Sequence, residues 1–96
     1  MVTKVILNLH VKSESTKEYI KFLEENLPNV RNFEGCQSVE LYFNEDLSEM
    51  IINETWNSKD AHKKYIEFIS SNGVMQELAS FLSSEPNIKY YDILDI

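Results

Sequence analysis

The chain has few residues of the types that build disulfides, phosphate loops or long linkers. Its 96 residues include one cysteine, two glycines and two prolines. Cys36 cannot form an intramolecular disulfide, which is typical of a reducing compartment. We interpret it as a small buried hydrophobic residue rather than a nucleophile. Two isolated glycines exclude a glycine-rich phosphate loop and a dinucleotide fingerprint. Without long linkers, we expect one domain over residues 1–96.

Basic charge and long apolar runs are also scarce. Nine Lys and Arg residues against sixteen Asp and Glu residues give a formal net charge of -7, and the lysines are spread among carboxylates. Because phosphate binding needs a basic face, we expect neither nucleic-acid binding nor attachment to an anionic membrane. The apolar run near the amino terminus is interrupted by Asn8 and His10. It is too short for a signal peptide or a membrane span, so we expect a cytoplasmic protein.

The hydrophobic pattern predicts four strands and three helices. We expect a first helix capped by Ser15 and ended by Pro28, and a second helix capped by Ser58. The second helix is predicted to bury one stripe, which contains Ala61, Tyr65, Phe68 and Ile69. His62 lies off that stripe, so we expect it on the surface. The predicted elements are strands at 2–12, 33–43, 50–56 and 88–96 and helices at 16–27, 59–71 and 74–84.

The order of these elements, β-α-β-β-α-α-β, predicts an α+β fold of the ferredoxin-like, split βαβ type, with helices on one face of an antiparallel sheet. Large apolar side chains occur on both faces of the strands, so the face without helices needs another cover. The simplest cover is a second copy of the sheet, and we predict a homodimer. We assign Ile6, Tyr42, Ile52 and Trp56 to one face and Leu7, Leu41 and Ile51 to the other.

Two segments resemble a known family. They are "FEGCQSVELYFNED" and "INETWNSKDAHKKY", with an F-x-G turn, a strand pair and then E-x-W-x-S-x-x-A. The pattern is similar to that of the antibiotic-biosynthesis monooxygenase (ABM) domain, and "EPNIKYYDI" resembles the last strand of that family. In this chain the motif residues are Phe33, Gly35, Glu54, Trp56, Ser58 and Ala61.

The resemblance implies a dimeric α+β barrel with a ligand pocket between sheet and helices in each subunit. Some ABM members oxygenate electron-rich phenols or quinols without metal, flavin or haem, whereas another branch degrades haem. Met75 stands where the haem-degrading branch has an iron-ligating histidine, so haem degradation is disfavoured. Tyr65 stands where many members have a histidine or a tryptophan. The leading hypothesis is therefore a cofactor-independent monooxygenase of a small phenol- or quinol-like molecule.

Tyr65 and His10 are the candidate catalytic residues. The Tyr65 hydroxyl could donate to a substrate oxygen, and histidine is a common proton-transfer residue, which makes His10 a candidate. Alternatively, Tyr65 is a core tyrosine and His10 is a polar residue at the dimer groove or in solvent. Four further residues are candidate substrate contacts: Asn8, Phe68, Trp56 and Glu54. Glu54 could be a base and Trp56 a pocket wall, or Trp56 fills the dimer core while Glu54 bonds to a neighbour.

Two other functions remain open. One is an isomerase or detoxifying enzyme for a small carbonyl compound, which needs a proton shuttle but no oxygen. The other is a small-molecule binding module without catalysis. His10, Cys36 and His62 have no recognisable ligand spacing, so we expect no metal site and no cofactor.

Overall fold

The computed structural model describes all 96 residues and contains the predicted series of elements. Its order is β-α-β-β-α-α-β. A short 3-10 turn precedes the first helix. The elements are β1 (Thr3–His10), α1 (Thr16–Arg31), β2 (Cys36–Phe43), β3 (Glu49–Trp56), α2 (Lys59–Ser71), α3 (Val74–Ser80) and β4 (Asn87–Asp92).

The four strands form one antiparallel sheet in the order β2-β3-β1-β4. The sequence neighbours β2 and β3 form a hairpin, and the helical crossovers place β1 and β3 at the centre. This is the ferredoxin-like topology that the order of the elements predicts, and the α+β fold class is confirmed. The two central strands carry the most deeply buried strand positions, since each has a neighbour on both sides.

One face of the sheet packs against the helices and forms the core. Leu7 of β1 lies opposite Ile52 of β3, and Ile52 lies opposite Leu41 of β2, so all three share this face. The predicted grouping was wrong for β3, because Ile52 and Trp56 lie on the core face and Ile51 on the outer face. Alternation shows which residues of one strand share a face. It does not show the register that aligns them with the next strand.

Two predicted features of α1 differ in the structure. The helix continues through Pro28 and ends at Arg31. Pro28 supplies no backbone N–H, so the helix passes this position without the bond to the preceding turn. Ser15 makes no side-chain capping bond, because the preceding 3-10 turn leads directly into the helix. By contrast, the predicted Ser58 cap of α2 is confirmed, since its hydroxyl accepts a bond of 3.1 Å from the Ala61 N–H.

The carboxyl-terminal elements are shorter than predicted. The third helix ends at Ser80, and Leu82 instead forms an isolated bridge with Val11. The last strand ends at Asp92, before Ile93. Helix α3 therefore covers the space between α2 and the sheet with only about two helical turns. This space contains the candidate site.

Candidate functional site

An apolar cavity lies between the core face of the sheet and the helices. Its volume is about 70 Å³, and 15 of its 19 lining residues are hydrophobic. Asn26, Glu54, His62 and the hydroxyl-bearing Tyr65 are the polar members of the lining. Binding sites for small molecules commonly combine an apolar wall with a few polar groups. The remaining lining residues come from all four strands, the three α-helices and the segment just before β4.

Glu54 is the ionisable side chain that β3 directs into this cavity. In the sheet it lies between Val5 of β1 and Val39 of β2, and only 5% of its surface is exposed. The Trp56 Nε1–H donates a hydrogen bond of 2.7 Å to Glu54 Oε1. Burial raises the pKa of Glu54 to about 7, against the smaller lowering effect of the Trp56 bond. The carboxyl can therefore both gain and lose a proton near neutral pH.

His62 faces the same cavity from the first turn of α2. It is 1% exposed, and the predicted surface position was wrong. Its Nε2 lies 3.6 Å from Glu54 Oε1, and its Nδ1 lies 2.8 Å from the Tyr90 hydroxyl. Burial lowers the pKa of His62 to about 4, because the imidazolium would lose its hydration. His62 is therefore a neutral imidazole at neutral pH, held between a carboxyl and a phenol.

The prediction for His62 was wrong because the buried stripe of α2 is rotated about the helix axis relative to the predicted stripe. The most buried residues of this helix are His62 and Ile69, whereas Phe68 is 52% exposed. His62, Ile66 and Ile69 stand at i, i+4 and i+7, which is as good a helical stripe as the predicted one. This spacing could have indicated the histidine. Likewise, Ile88 and Tyr90 stand at i and i+2 of a strand and share one face, which could have indicated that Tyr90 faces the core.

Tyr65 lies in the wall of the cavity within an aromatic cluster. Its ring centroid is 5.2 Å from that of Phe33 and 5.5 Å from that of Trp56. Burial raises the pKa of Tyr65 to about 12, and the negative charges of Glu54 and Cys36 add to this effect. The phenol therefore stays protonated and can act as a hydrogen-bond donor. Its predicted position facing the sheet is the one that the structure has.

Trp56 supports the site without lining it. Its side chain is fully buried in the core of this chain, which excludes the predicted alternative that it fills the dimer core. The indole ring packs against His62 at a centroid distance of 5.3 Å and donates to Glu54. Trp56 therefore fixes the orientation of the two ionisable groups rather than forming a pocket wall.

Phe68 lies outside the cavity, in a neighbouring surface groove. It packs on Phe33 at a centroid distance of 5.6 Å and is half exposed. Besides Phe33 and Phe68, four of the eight other lining residues of the groove are asparagines, which come from α1 and from the positions just after α1 and α2. Groove and cavity share the lining residues Asn26, Tyr65, Ile69 and Val74.

Asn8 and His10 are on the other face of the sheet. The Asn8 amide donates a bond of 2.8 Å to Glu49 Oε2, and His10 is exposed opposite Glu49. Even-numbered residues of β1 point away from the cavity, so neither side chain reaches it. The structure brings together Glu54, Tyr65 and Trp56 of the six candidates and separates the others.

No group of three or more His, Cys, Asp and Glu side chains in the chain has an arrangement that could hold a metal ion. None of the helices combines the length and the apolar character needed to cross a membrane.

A family model decides the relationship of this chain. The model described as "Antibiotic biosynthesis monooxygenase" (ABM) matches residues 2–67, which is more than half of the chain. The chain belongs to the ABM family. The suspected resemblance is confirmed, and family membership supports a general monooxygenase-like function without identifying a substrate. A comparison with curated proteins gives no match.

Several solved structures share the ABM fold over almost the whole chain. Rv0793 from Mycobacterium tuberculosis is 18% identical with a TM-score of 0.86, and the match covers 100% of this chain and 98% of that one. A conserved protein from Methanosarcina mazei Go1 is 18% identical with a TM-score of 0.84, over 95% and 91% of the two chains. An antibiotic biosynthesis monooxygenase is 15% identical with a TM-score of 0.86, over 97% and 99%.

The ABM motif residues have structural roles in this chain. Gly35 has a φ of 94°, and a Cβ atom at this position would lie 2.6 Å from the Ala61 Cβ. The two small residues therefore let the turn before β2 pack directly on α2. Ser58 caps α2, and Trp56 holds Glu54. The motif thereby fixes the strand, the turn and the helix that surround Glu54 and His62.

Proposed function

We propose that this ABM protein is a cofactor-independent monooxygenase that uses Glu54 as the base for an apolar phenol- or quinol-like molecule. The observation that carries this proposal is the Glu54 carboxyl inside a largely apolar cavity. Its pKa of about 7 is set by burial. A carboxyl of this kind is a suitable base at neutral pH, since half of it is ionised there.

The chemistry needs only an electron-rich substrate and a site that deprotonates and orients it. Glu54 takes the proton of the substrate hydroxyl, and Tyr65 donates a hydrogen bond to a substrate oxygen. The resulting anion can pass an electron to O₂. In the net reaction one oxygen atom enters the product, and the other leaves as water with two hydrogen atoms from the substrate. The apolar wall keeps water away from the anion and strengthens its polar contacts.

The size of the cavity indicates that the site opens when a ring enters. A buried cavity that binds benzene measures about 150 Å³, whereas this cavity offers about 70 Å³. Helix α3 is the element best placed to move, because it has no buried residue yet contributes Val74, Met75 and Leu78 to the lining. It begins after Gly73, which has a φ of 90° and no neighbour within 4 Å of a Cβ position.

We also propose that two copies assemble through the outer faces of their sheets into a dimeric barrel. On this face Tyr42 is 50% exposed and Tyr91 is 49% exposed, and Ile6 and Ile51 are half-buried between them. Apolar patches of this kind on a sheet commonly form interfaces. In such a dimer Asn8 and His10 would lie at the interface rather than at the ligand.

Oxygen consumption tests the proposed activity. We expect purified protein to raise O₂ uptake above the uncatalysed rate for at least one member of a hydroquinone and phenol panel. The rate should rise through about pH 7, because Glu54 must be ionised to accept a proton. Glu54→Gln should lower kcat/KM at least 100-fold, the usual contribution of a general base. The measurement is uptake at an oxygen electrode across pH 5–9.

Glu67→Gln is the matched control, because Glu67 is exposed on α2 and does not line the cavity. This variant should keep the activity of the original chain. Uptake that is equal in Glu54→Gln and the original chain would contradict the role of Glu54. Turnover of an enolisable carbonyl compound without O₂ uptake would instead indicate the isomerase alternative.

A further inference from the structure

We infer that His62 and Tyr90 form a proton relay that connects the buried Glu54 carboxyl to solvent, with His62 changing between its two neutral tautomers as Glu54 gains or loses its proton. This inference rests on the proposed function for its role in turnover. The relay itself is a property of the folded chain and can be measured without a substrate.

The three side chains lie in a row from the cavity to the surface. Glu54 Oε1 is 3.6 Å from His62 Nε2, and His62 Nδ1 is 2.8 Å from the Tyr90 hydroxyl. The first two residues are almost completely buried, whereas Tyr90 is only partly buried on the edge strand β4. The Lys59 ammonium lies 4.8 Å from the centre of the Tyr90 ring, which places the outer end of the path beside an exposed cation.

The gap between Glu54 and His62 is slightly longer than a hydrogen bond. Catalytic hydrogen bonds are often long without substrate and shorten when the site is occupied. Both groups are held from behind, since Trp56 donates to Glu54 Oε1 and packs on the His62 ring. A small movement of the carboxyl therefore closes the path while its other contacts remain.

A neutral imidazole has one N–H donor and one nitrogen acceptor, so His62 must change tautomer when a proton passes along this path. When Glu54 is protonated, its O–H donates to Nε2, and Nδ1–H donates to the Tyr90 oxygen. When Glu54 is ionised, Nε2–H donates to the carboxylate, and Nδ1 accepts from the Tyr90 O–H. Each charge state of Glu54 thus selects one tautomer of His62, and both states leave the ring uncharged.

The relay step balances as a transfer of one proton. The Glu54 O–H bond breaks as Nε2–H forms, the Nδ1–H bond breaks as a new O–H bond forms on Tyr90, and the original phenol proton leaves to water. Glu54 becomes a carboxylate, His62 changes tautomer, and Tyr90 keeps one proton. Uptake is the reverse movement. In a monooxygenase cycle the base first takes a proton from the substrate, and a proton is later used to form water. A path that works in both directions lets Glu54 exchange its proton with solvent between these two steps.

Other titratable groups around Glu54 are few. Cys36 comes from β2, Tyr65 from α2 and Tyr90 from β4, while β1 contributes the apolar Val5 opposite Glu54. Burial raises the pKa of Cys36, of Tyr65 and of Tyr90, and the Glu54 charge adds to each of these shifts. All three groups are therefore neutral around pH 7. In this pH range Glu54 is the group whose charge changes, and His62 is its neutral neighbour.

Nitrogen NMR of the His62 ring without substrate tests the relay directly. Between pH 5 and pH 9 we expect the ring proton to move from Nδ1 to Nε2 with the same midpoint as the Glu54 carboxyl, with no imidazolium in this range. In Glu54→Gln the ring should keep one tautomer at every pH. In Tyr90→Phe the Nδ1–H form loses its acceptor, so the tautomer change should move to lower pH or disappear. A ring that holds one tautomer through the Glu54 transition of the original chain would overturn the relay.

Turnover separates the relay from the proposed function. With an active substrate, Tyr90→Phe should lower kcat roughly tenfold with KM nearly unchanged and should increase the solvent isotope effect. Ser70→Ala is the control for loss of a hydroxyl, because Ser70 is exposed on α2 and does not line the cavity, and it should behave as the original chain. Full kcat in Tyr90→Phe would contradict the relay while leaving Glu54-dependent oxygen uptake intact. Failure of every substrate to consume O₂ would contradict the proposed function, and the NMR result would still decide the relay.

Discussion

Glu54 and His62 titrate in opposite directions from their usual ranges because the same apolar surroundings disfavour both charged forms. The pKa of Glu54 is raised from 4.5 to about 7, and that of His62 is lowered from 6.5 to about 4. Between these values the pair holds one dissociable proton and no net charge. Two groups this close titrate as a coupled pair.

The sign of each contribution to folding stability follows from these shifts. The Glu54 contribution is full below pH 4.5 and is lost as the pH rises through about 7, since the fold prefers the protonated carboxyl. The His62 contribution has the opposite sign, and stability is gained as the pH rises from about 4 to 6.5. The two slopes therefore oppose each other between pH 4.5 and pH 6.5.

We expect Glu54→Gln to remove one of these slopes. The free energy of unfolding of this variant, minus that of the original chain, should rise by about 2 kcal/mol as the pH increases from 4.5 to 6.5. His62→Gln should show the reverse change of similar size. Urea denaturation at a series of pH values measures both differences. Parallel pH profiles for the two variants and the original chain would contradict the buried, coupled pair.

The turn before β2 and the helix α2 meet at an unusually close contact. Gly35 combines a positive φ of 94° with a position where a Cβ atom would lie 2.6 Å from the Ala61 Cβ. The Asn57 N–H also donates a bond of 2.8 Å to the Gly35 carbonyl. Backbone, turn and helix are thus joined at one place, directly behind the Trp56 ring.

Gly35→Ala should therefore destabilise the chain by more than about 2 kcal/mol, from backbone strain and from the contact with Ala61. Thermal or urea unfolding measures the change. Gly73→Ala is the matched control, because Gly73 has a similar φ of 90° but no neighbour within 4 Å. Gly73→Ala should lose only about 1 kcal/mol of stability, from backbone strain alone. Replacing Ala61 by glycine in Gly35→Ala should recover part of the loss, and an equal loss in both glycine variants would contradict the packing argument.

The whole molecule has helices on one face of its sheet and apolar side chains on the other. Ile51 is central on the outer face, opposite Asn8 of β1 and Tyr42 of β2. We expect the original chain to sediment at twice its 11.3 kDa mass at micromolar concentration. Ile51→Glu should sediment as a single chain, because an interface disfavours a buried unpaired carboxylate.

Lys63→Glu is the control for added negative charge, since Lys63 is exposed on α2, on the helical side of the sheet. It should remain dimeric. Circular dichroism of both variants should match that of the original chain, because neither residue belongs to the core. A single-chain species for the original protein at micromolar concentration would contradict the dimer.

The sequence by itself determined the series of elements, the α+β class and the Ser58 cap, because these depend on local alternation, helical spacing and capping chemistry. It also identified Tyr65 on a buried side of α2 and Glu54 with Trp56 on one face of β3. These relations hold within one element, where the spacing of residues along the chain fixes which side chains are neighbours.

Only the tertiary structure decided which face of β3 meets the helices and how α2 is rotated about its axis. Those choices depend on strand register and on helix packing, which join residues distant in the chain. As a result, Trp56 lies in the core rather than at a dimer interface, and His62 lies at the cavity rather than on the surface. They also separated Asn8 and His10 from it. The meeting of Glu54 with His62 and Tyr90 could not be predicted from spacing, because it joins a strand, a helix and an edge strand through side chains alone.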